Sequence, residues 1–95
     1  MAPLEDARIP IEELIEFPTL YTFKAIGHHT LPFSRNVLGA ARRALGDDRP
    51  IELRTRLSSK AAYLSVTLVV GLQSADELKA VYAALRAVPD IITLL

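Results

Sequence analysis

The 95-residue chain contains no cysteine, which removes a disulfide framework, a thiol nucleophile and a zinc ribbon together. It has no surplus of charge either. Eleven basic residues stand against eleven acidic ones, so bulk electrostatics do not drive the chain onto nucleic acid. No apolar run approaches the roughly 20 residues of a membrane-spanning helix. The start, "MAPLEDARIPIEELIEF", is acidic where a signal peptide is basic and then apolar. A Gly-x-Ser-x-Gly elbow and a Walker loop are both missing. Asp47-Asp48 and Glu12-Glu13 are adjacent pairs whose side chains diverge, unlike two carboxylates converging on a substrate. The expectation is a cytoplasmic globular domain with no catalytic residues, no metal, no cofactor and no membrane contact.

What is present is enough apolar material for one core: 51% of the residues are hydrophobic, and a domain of this length buries about 60–70% of its unfolded surface. Charge is unevenly placed. Residues 1–16 carry Glu5, Asp6, Glu12, Glu13 and Glu16 against Arg8, whereas residues 42–60 carry six basic residues against Asp47, Asp48 and Glu52. We therefore divide the chain into an acidic arm over 1–16, with a short helical turn through Ile11, Leu14 and Ile15, and a globular domain over 17–95.

Within that domain, "TLYTFKAIG" predicts a first strand from about Thr19 to Ile26 that closes at Gly27, with Tyr21, Phe23 and Ala25 on one face. Thr30 can cap a helix with Pro32 in its first turn, and Phe33, Val37, Leu38, Ala41 and Leu45 supply its apolar stripe. Gly46 stops it. "IELRTRL" alternates strictly, which predicts a half-buried antiparallel strand. After a turn at Ser58-Ser59-Lys60, a third strand buries Leu64, Val66, Leu68 and Val70 and turns Tyr63, Ser65, Thr67 and Val69 the other way. Ser74 and Glu77 have the spacing of a capping box, in which each side chain accepts the other's backbone N–H. Leu78, Val81, Tyr82, Leu85 and Val88 form the stripe of the second helix, Pro89-Asp90 ends it, and "IITLL" predicts a last strand.

Strand, helix, strand, strand, helix, strand is the ferredoxin-like βαββαβ order, an α+β sandwich with a four-stranded antiparallel sheet and both helices on one face. The first and third strands are expected in the centre. The other sheet face is then open, and it should carry Thr22, Lys24, Glu52, Arg54, Arg56, Tyr63, Ser65 and Thr67, a polar and net basic surface around one tyrosine. Six residues are the candidate interaction surface: Lys24, Arg54, Arg56, Lys60, Tyr63 and Ser65. The cations can pair with carboxylates or phosphates, the tyrosine can anchor by packing or stacking, and the serine can supply a hydrogen bond.

The segments "EFPTLYTFKAIG" and "LSSKAAYLSVTLVV" carry a resemblance. Through Phe17-Pro18, Lys24, Gly27, Ser58-Ser59-Lys60, Tyr63 and Ser65, the chain from about Leu14 onward resembles the YbeD-like family of small bacterial proteins. That resemblance implies an ACT-like ferredoxin fold and a regulatory or protein-interaction module with a link to lipoate metabolism. ACT-like folds elsewhere sense amino acids and other small ligands, commonly where two domains pair and a glycine follows the first strand, which makes Gly27 and His28 a second candidate ligand site. One difference stands out. Members often have glycine after the lysine of the turn, and here Ala61 takes that place.

Other readings are weaker. His28-His29 has no third ligand beside it in sequence, so an ordinary loop pair is favoured over a metal site. "KAAYLSV" loosely resembles the third-strand motif of an RNA-recognition domain, but Tyr63 stands without the further aromatics that stack bases there. The partners expected are thus a second copy or another protein at the open face, with a small amino-acid-type ligand as the alternative. Nucleic acid is disfavoured.

Overall fold

The computed structural model of the protein describes residues 14–95. The acidic arm up to Glu13, and the helical turn expected around Ile11, lie outside the described residues. The elements follow the expected order: β1 (Thr19–His28), α1 (Phe33–Leu45), β2 (Ile51–Leu57), β3 (Tyr63–Leu72), α2 (Ala75–Arg86) and β4 (Ile91–Leu94). They form one antiparallel sheet in the order β2-β3-β1-β4, so the two ten-residue strands are central.

Alternation explains which way each strand faces, because successive side chains of a strand point to opposite sides of the sheet. Phe23 and Ala25 of β1 and Val66, Leu68, Val70 and Leu72 of β3 are buried, and they meet Phe33, Val37, Ala40 and Ala41 of α1 and Leu78, Val81 and Leu85 of α2. The core lies between the sheet and this helix layer. Tyr82 joins its edge: its hydroxyl is 2.8 Å from that of Tyr21, and its ring packs edge-on to Phe23. Burial, and secondarily the hydroxyl bond to Tyr21, pushes the Tyr82 phenol above the ordinary tyrosine value.

Local details depart from expectation in instructive ways. β1 does not close at Gly27 but runs through it to His28. The glycine is required by packing: a Cβ there would strike the Phe33 ring and stand 2.6 Å from the Asp90 carbonyl oxygen. Thr30 is not a cap. Its hydroxyl donates to Asp90 Oδ2 at 3.2 Å, and the N-cap position of α1 is taken by Pro32, which offers no side-chain bond. Gly46 ends α1 at a φ of 93°, as expected of a residue without a Cβ.

The capping box at α2 is only half made. The Glu77 N–H donates to Ser74 Oγ, but the Glu77 carboxylate accepts from the Gln73 N–H at 2.7 Å and binds the Arg49 guanidinium. Arg49 donates to both Glu77 oxygens, at 2.9 and 2.7 Å, and to the Gly71 carbonyl oxygen at 2.7 Å. One side chain thereby joins the entry to β2, the end of β3 and the start of α2. The Arg49 bonds, reinforced by the Gln73 N–H, hold the Glu77 carboxyl at about 2, and the same pairing raises Arg49.

β2 is less covered than its alternation predicts. Its core-side residues Leu53 and Leu57 remain 37% and 45% exposed, because β2 is the outer strand of the sheet.

Candidate interaction surface on the open sheet face

The register of the central strands fixes what stands on the side away from the helices. Lys24 pairs with Thr67, Ile26 with Ser65 and His28 with Tyr63. On the other side of β3, Arg54 pairs with Thr67 and Arg56 with Ser65. Residues paired across antiparallel strands project to the same face, so these groups form three rows across the sheet. Ser65 is flanked by Arg56 and Ile26, and Thr67 by Arg54 and Lys24. Tyr63 lies beside His28, with ring centroids 5.8 Å apart and planes inclined by 34°.

Of the six residues expected to form the interaction surface, Lys24, Arg56, Tyr63 and Ser65 line one shallow depression of about 300 Å³, together with Ile26, Leu57 and Ser58. Arg54 lies in the neighbouring row, where its guanidinium pairs with the Glu52 carboxylate. Lys60 is exposed in the hairpin turn and does not line the depression. Lys24 and Arg56 belong to neither of the ion pairs formed among the described residues, Arg49–Glu77 and Arg54–Glu52. The lining contains no carboxylate.

The hairpin that holds Tyr63 is tightly bonded. Ser58 N–H donates to the Tyr63 carbonyl oxygen at 2.9 Å, and the Tyr63 N–H donates back to Ser58 Oγ at 3.0 Å. Ala61 adopts a φ of 60° to close the turn, so the left-handed backbone persists without a glycine. The turn is also tied to the end of β1: the His29 N–H donates to the Ala62 carbonyl oxygen at 3.0 Å, and His29 Nδ1 lies 3.1 Å from the Ala61 carbonyl oxygen.

Gly27 and His28 are separated by the pleat. Gly27 is buried on the helix side, whereas His28 is exposed on the open side next to Tyr63. The amides that follow the glycine are already engaged: His28 N–H with Asp90 O, His29 N–H with Ala62 O and Thr30 N–H with His28 O. Among the described residues no group of three or more metal-binding side chains gathers, and no helix is long and apolar enough to cross a membrane.

Sequence reasoning turned Val69 to this face but named none of its other apolar residues. Leu20 and Ile26 of β1 and Val69 of β3 share it, and Leu95 reaches it by exchanging two backbone hydrogen bonds with Lys24, at 3.0 and 2.8 Å. Counting by twos from Lys24 finds Leu20 and Ile26 within the expected strand, and His28 once the strand is carried through Gly27.

Comparison with known proteins agrees with this architecture. A UPF0250 protein of Shewanella putrefaciens is 33% identical over 81 residues, covering 84% of this chain and 89% of its own. A second, from Shewanella baltica, is 34% identical over 82 residues with the same coverage. Among solved structures, protein HP0495 of Helicobacter pylori superimposes with a TM-score of 0.73 over 96% of this chain and 92% of its own, at 17% identity. The ACT domain of the GTP pyrophosphokinase of Chlorobium tepidum does so with a TM-score of 0.62 at 18% identity, covering 82% of this chain and 96% of its own. The fold is thus ACT-like. The family model described as "Protein of unknown function (DUF493)" matches residues 12–95. The whole described chain, including both central strands of the open face, lies within that match, and the chain belongs to the DUF493 family.

Proposed function

We propose that the protein is a regulatory or protein-interaction module whose working surface is the open face of its sheet. One observation carries this reading: Lys24, Arg56, Tyr63 and Ser65 line a single depression on the face that neither α1 nor α2 covers. An uncovered face with a half-exposed tyrosine, bordered by Leu20, Ile26 and Leu95, has the mixture of aromatic anchor, apolar surface and cationic rim that suits a protein contact. No group on this face favours a lipoyl ligand over another partner, so the reading stands without the lipoate link.

A second copy of the chain is the simplest occupant, and the test is sedimentation across concentration for wild type and for the Tyr63→Ala, Arg54→Glu double variant. Wild type is expected to associate and the variant to remain monomeric with an unchanged fold. Association that survives both substitutions would remove the open face from the proposal. The depression itself favours a second reading, a small-ligand sensor, in which a ligand seated there would alter what the face can bind.

A further inference from the structure

We infer that the depression between Lys24 and Arg56 is a binding site for a phosphate monoester. This deepens the second reading above by naming the ligand's chemistry. Lys24 and Arg56 both line the depression, neither takes part in the ion pairs of the described residues, and no carboxylate shares the lining. Together they present a charge of two that no carboxylate side chain among the described residues pairs with. A phosphate monoester carries about −1.5 to −2 at pH 7 and matches it, whereas a carboxylate leaves one cation unanswered.

Geometry agrees. Arg56 is one strand away from Ser65 on one side and Ile26 is one strand away on the other, while Lys24 lies two residues along β1 from Ile26. With strands about 4.8 Å apart and a rise of about 3.4 Å per residue, the two cationic residues are separated at the backbone by roughly 12 Å. Side chains as long as lysine and arginine can span such a gap, and the Ser65 hydroxyl, between Arg56 and Ile26 in the same row, is a further donor. Beside this charged part, Ile26 and the Tyr63 ring give an apolar wall. The volume of about 300 Å³ is at the small end of ligand sites, which suits one phosphoryl group and a compact organic substituent. The glutamate nearest in the rows, Glu52, is neutralised by Arg54 and leaves the depression's charge intact.

The test is amide chemical-shift titration of the full chain with phenyl phosphate, with benzoate as the carboxylate counterpart. Phenyl phosphate is expected to move the resonances of Ile26, Tyr63 and Ser65 saturably. Lys24→Gln and Arg56→Gln should each weaken binding by about tenfold or more, the loss expected for one charge-assisted hydrogen bond, while Lys60→Gln leaves it unchanged. The same spectra report whether each variant is folded. A blocked phosphoserine peptide separates the sources of the group: tighter binding than phenyl phosphate assigns the phosphate to a protein partner, and equal or weaker binding assigns it to a free ester. The inference is overturned by the absence of saturable shifts, by benzoate binding as well as phenyl phosphate, or by binding that survives both glutamine substitutions. None of those results bears on whether the open face associates, which sedimentation decides separately.

Discussion

Arg49 and Glu77 clamp three elements together through a two-pronged ion pair of 2.7 and 2.9 Å, with a third bond from Arg49 to the Gly71 carbonyl oxygen. The side chains are 21% and 24% exposed, so the pair is shielded more than a typical surface bridge. It replaces half of the capping box expected of Glu77 and does more than a local cap could, since it reaches from the entry of β2 to the start of α2.

A pH dependence follows from this clamp. A carboxyl held at about 2 against an ordinary 4.5 stabilises the fold fully above pH 4.5, and that contribution is lost as pH falls through 2. Glu77→Gln should lower stability at pH 7 by about 1.5–3 kcal/mol, the range for hydrogen bonds to charged groups. Its stability should then fall less than that of wild type between pH 5 and pH 2. Urea denaturation of both proteins at pH 7, 5, 3 and 2 measures the difference. Parallel pH profiles would show that the clamp does not carry the linkage.

Gly27 is a site where one added carbon matters. The Cβ of Gly27→Ala meets the Phe33 ring and the Asp90 backbone, and overpacking of this kind costs about 1–3 kcal/mol. Thermal unfolding should show the loss. Adding Phe33→Leu should recover only part of it beyond that substitution's own effect, because the Asp90 carbonyl cannot retreat as a side chain can. Strict additivity of the two substitutions would mean that the ring is not what the new carbon meets.

Ala61 predicts the opposite sign. An L-residue at a φ of 60° is strained by about 1–2 kcal/mol, part of which glycine returns as lost chain entropy. Ala61→Gly should therefore stabilise the protein by up to about 1 kcal/mol, visible as a raised denaturation midpoint with an unchanged slope. A lowered midpoint would mean that the turn gains nothing from the freer residue.

The fold was legible because its signals are periodic. Strict alternation in Ile51–Leu57 and from Tyr63 onward set the two faces of the sheet, and the helical spacing of Phe33, Val37 and Ala41 set one stripe of the core. The polar half of the open face could be read in the same way, down to Lys24, Arg56, Tyr63 and Ser65. Leu20 and Ile26 lay within the expected strand and follow from the same alternation, whereas His28 was hidden by a single glycine. Gly27 reads as a stop by composition, yet the chain continues extended through it because Phe33 needs the room.

Contacts set by tertiary distance were illegible for a different reason. Arg49 and Glu77 are 28 positions apart, and Thr30 and Asp90 are 60 apart. Local rules assigned Thr30 and Glu77 to caps at their nearest helices, and only the folded chain brings the distant partners that compete for those side chains.

The distribution of tyrosines gives the molecule two separate optical reporters. The chain has three tyrosines and no tryptophan, so tyrosine dominates its near-ultraviolet spectrum over the weak bands of its three phenylalanines. Tyr21 and Tyr82 share a hydroxyl contact at the edge of the core, and Tyr82 ionises late. Tyr63 is 47% exposed against His28 on the opposite side of the sheet. Emission and absorbance changes at Tyr63 therefore follow events on the open face, while the paired phenols follow the integrity of the helix layer. An occupant of that face and a loosening of the core are thus distinguishable in one unlabelled sample.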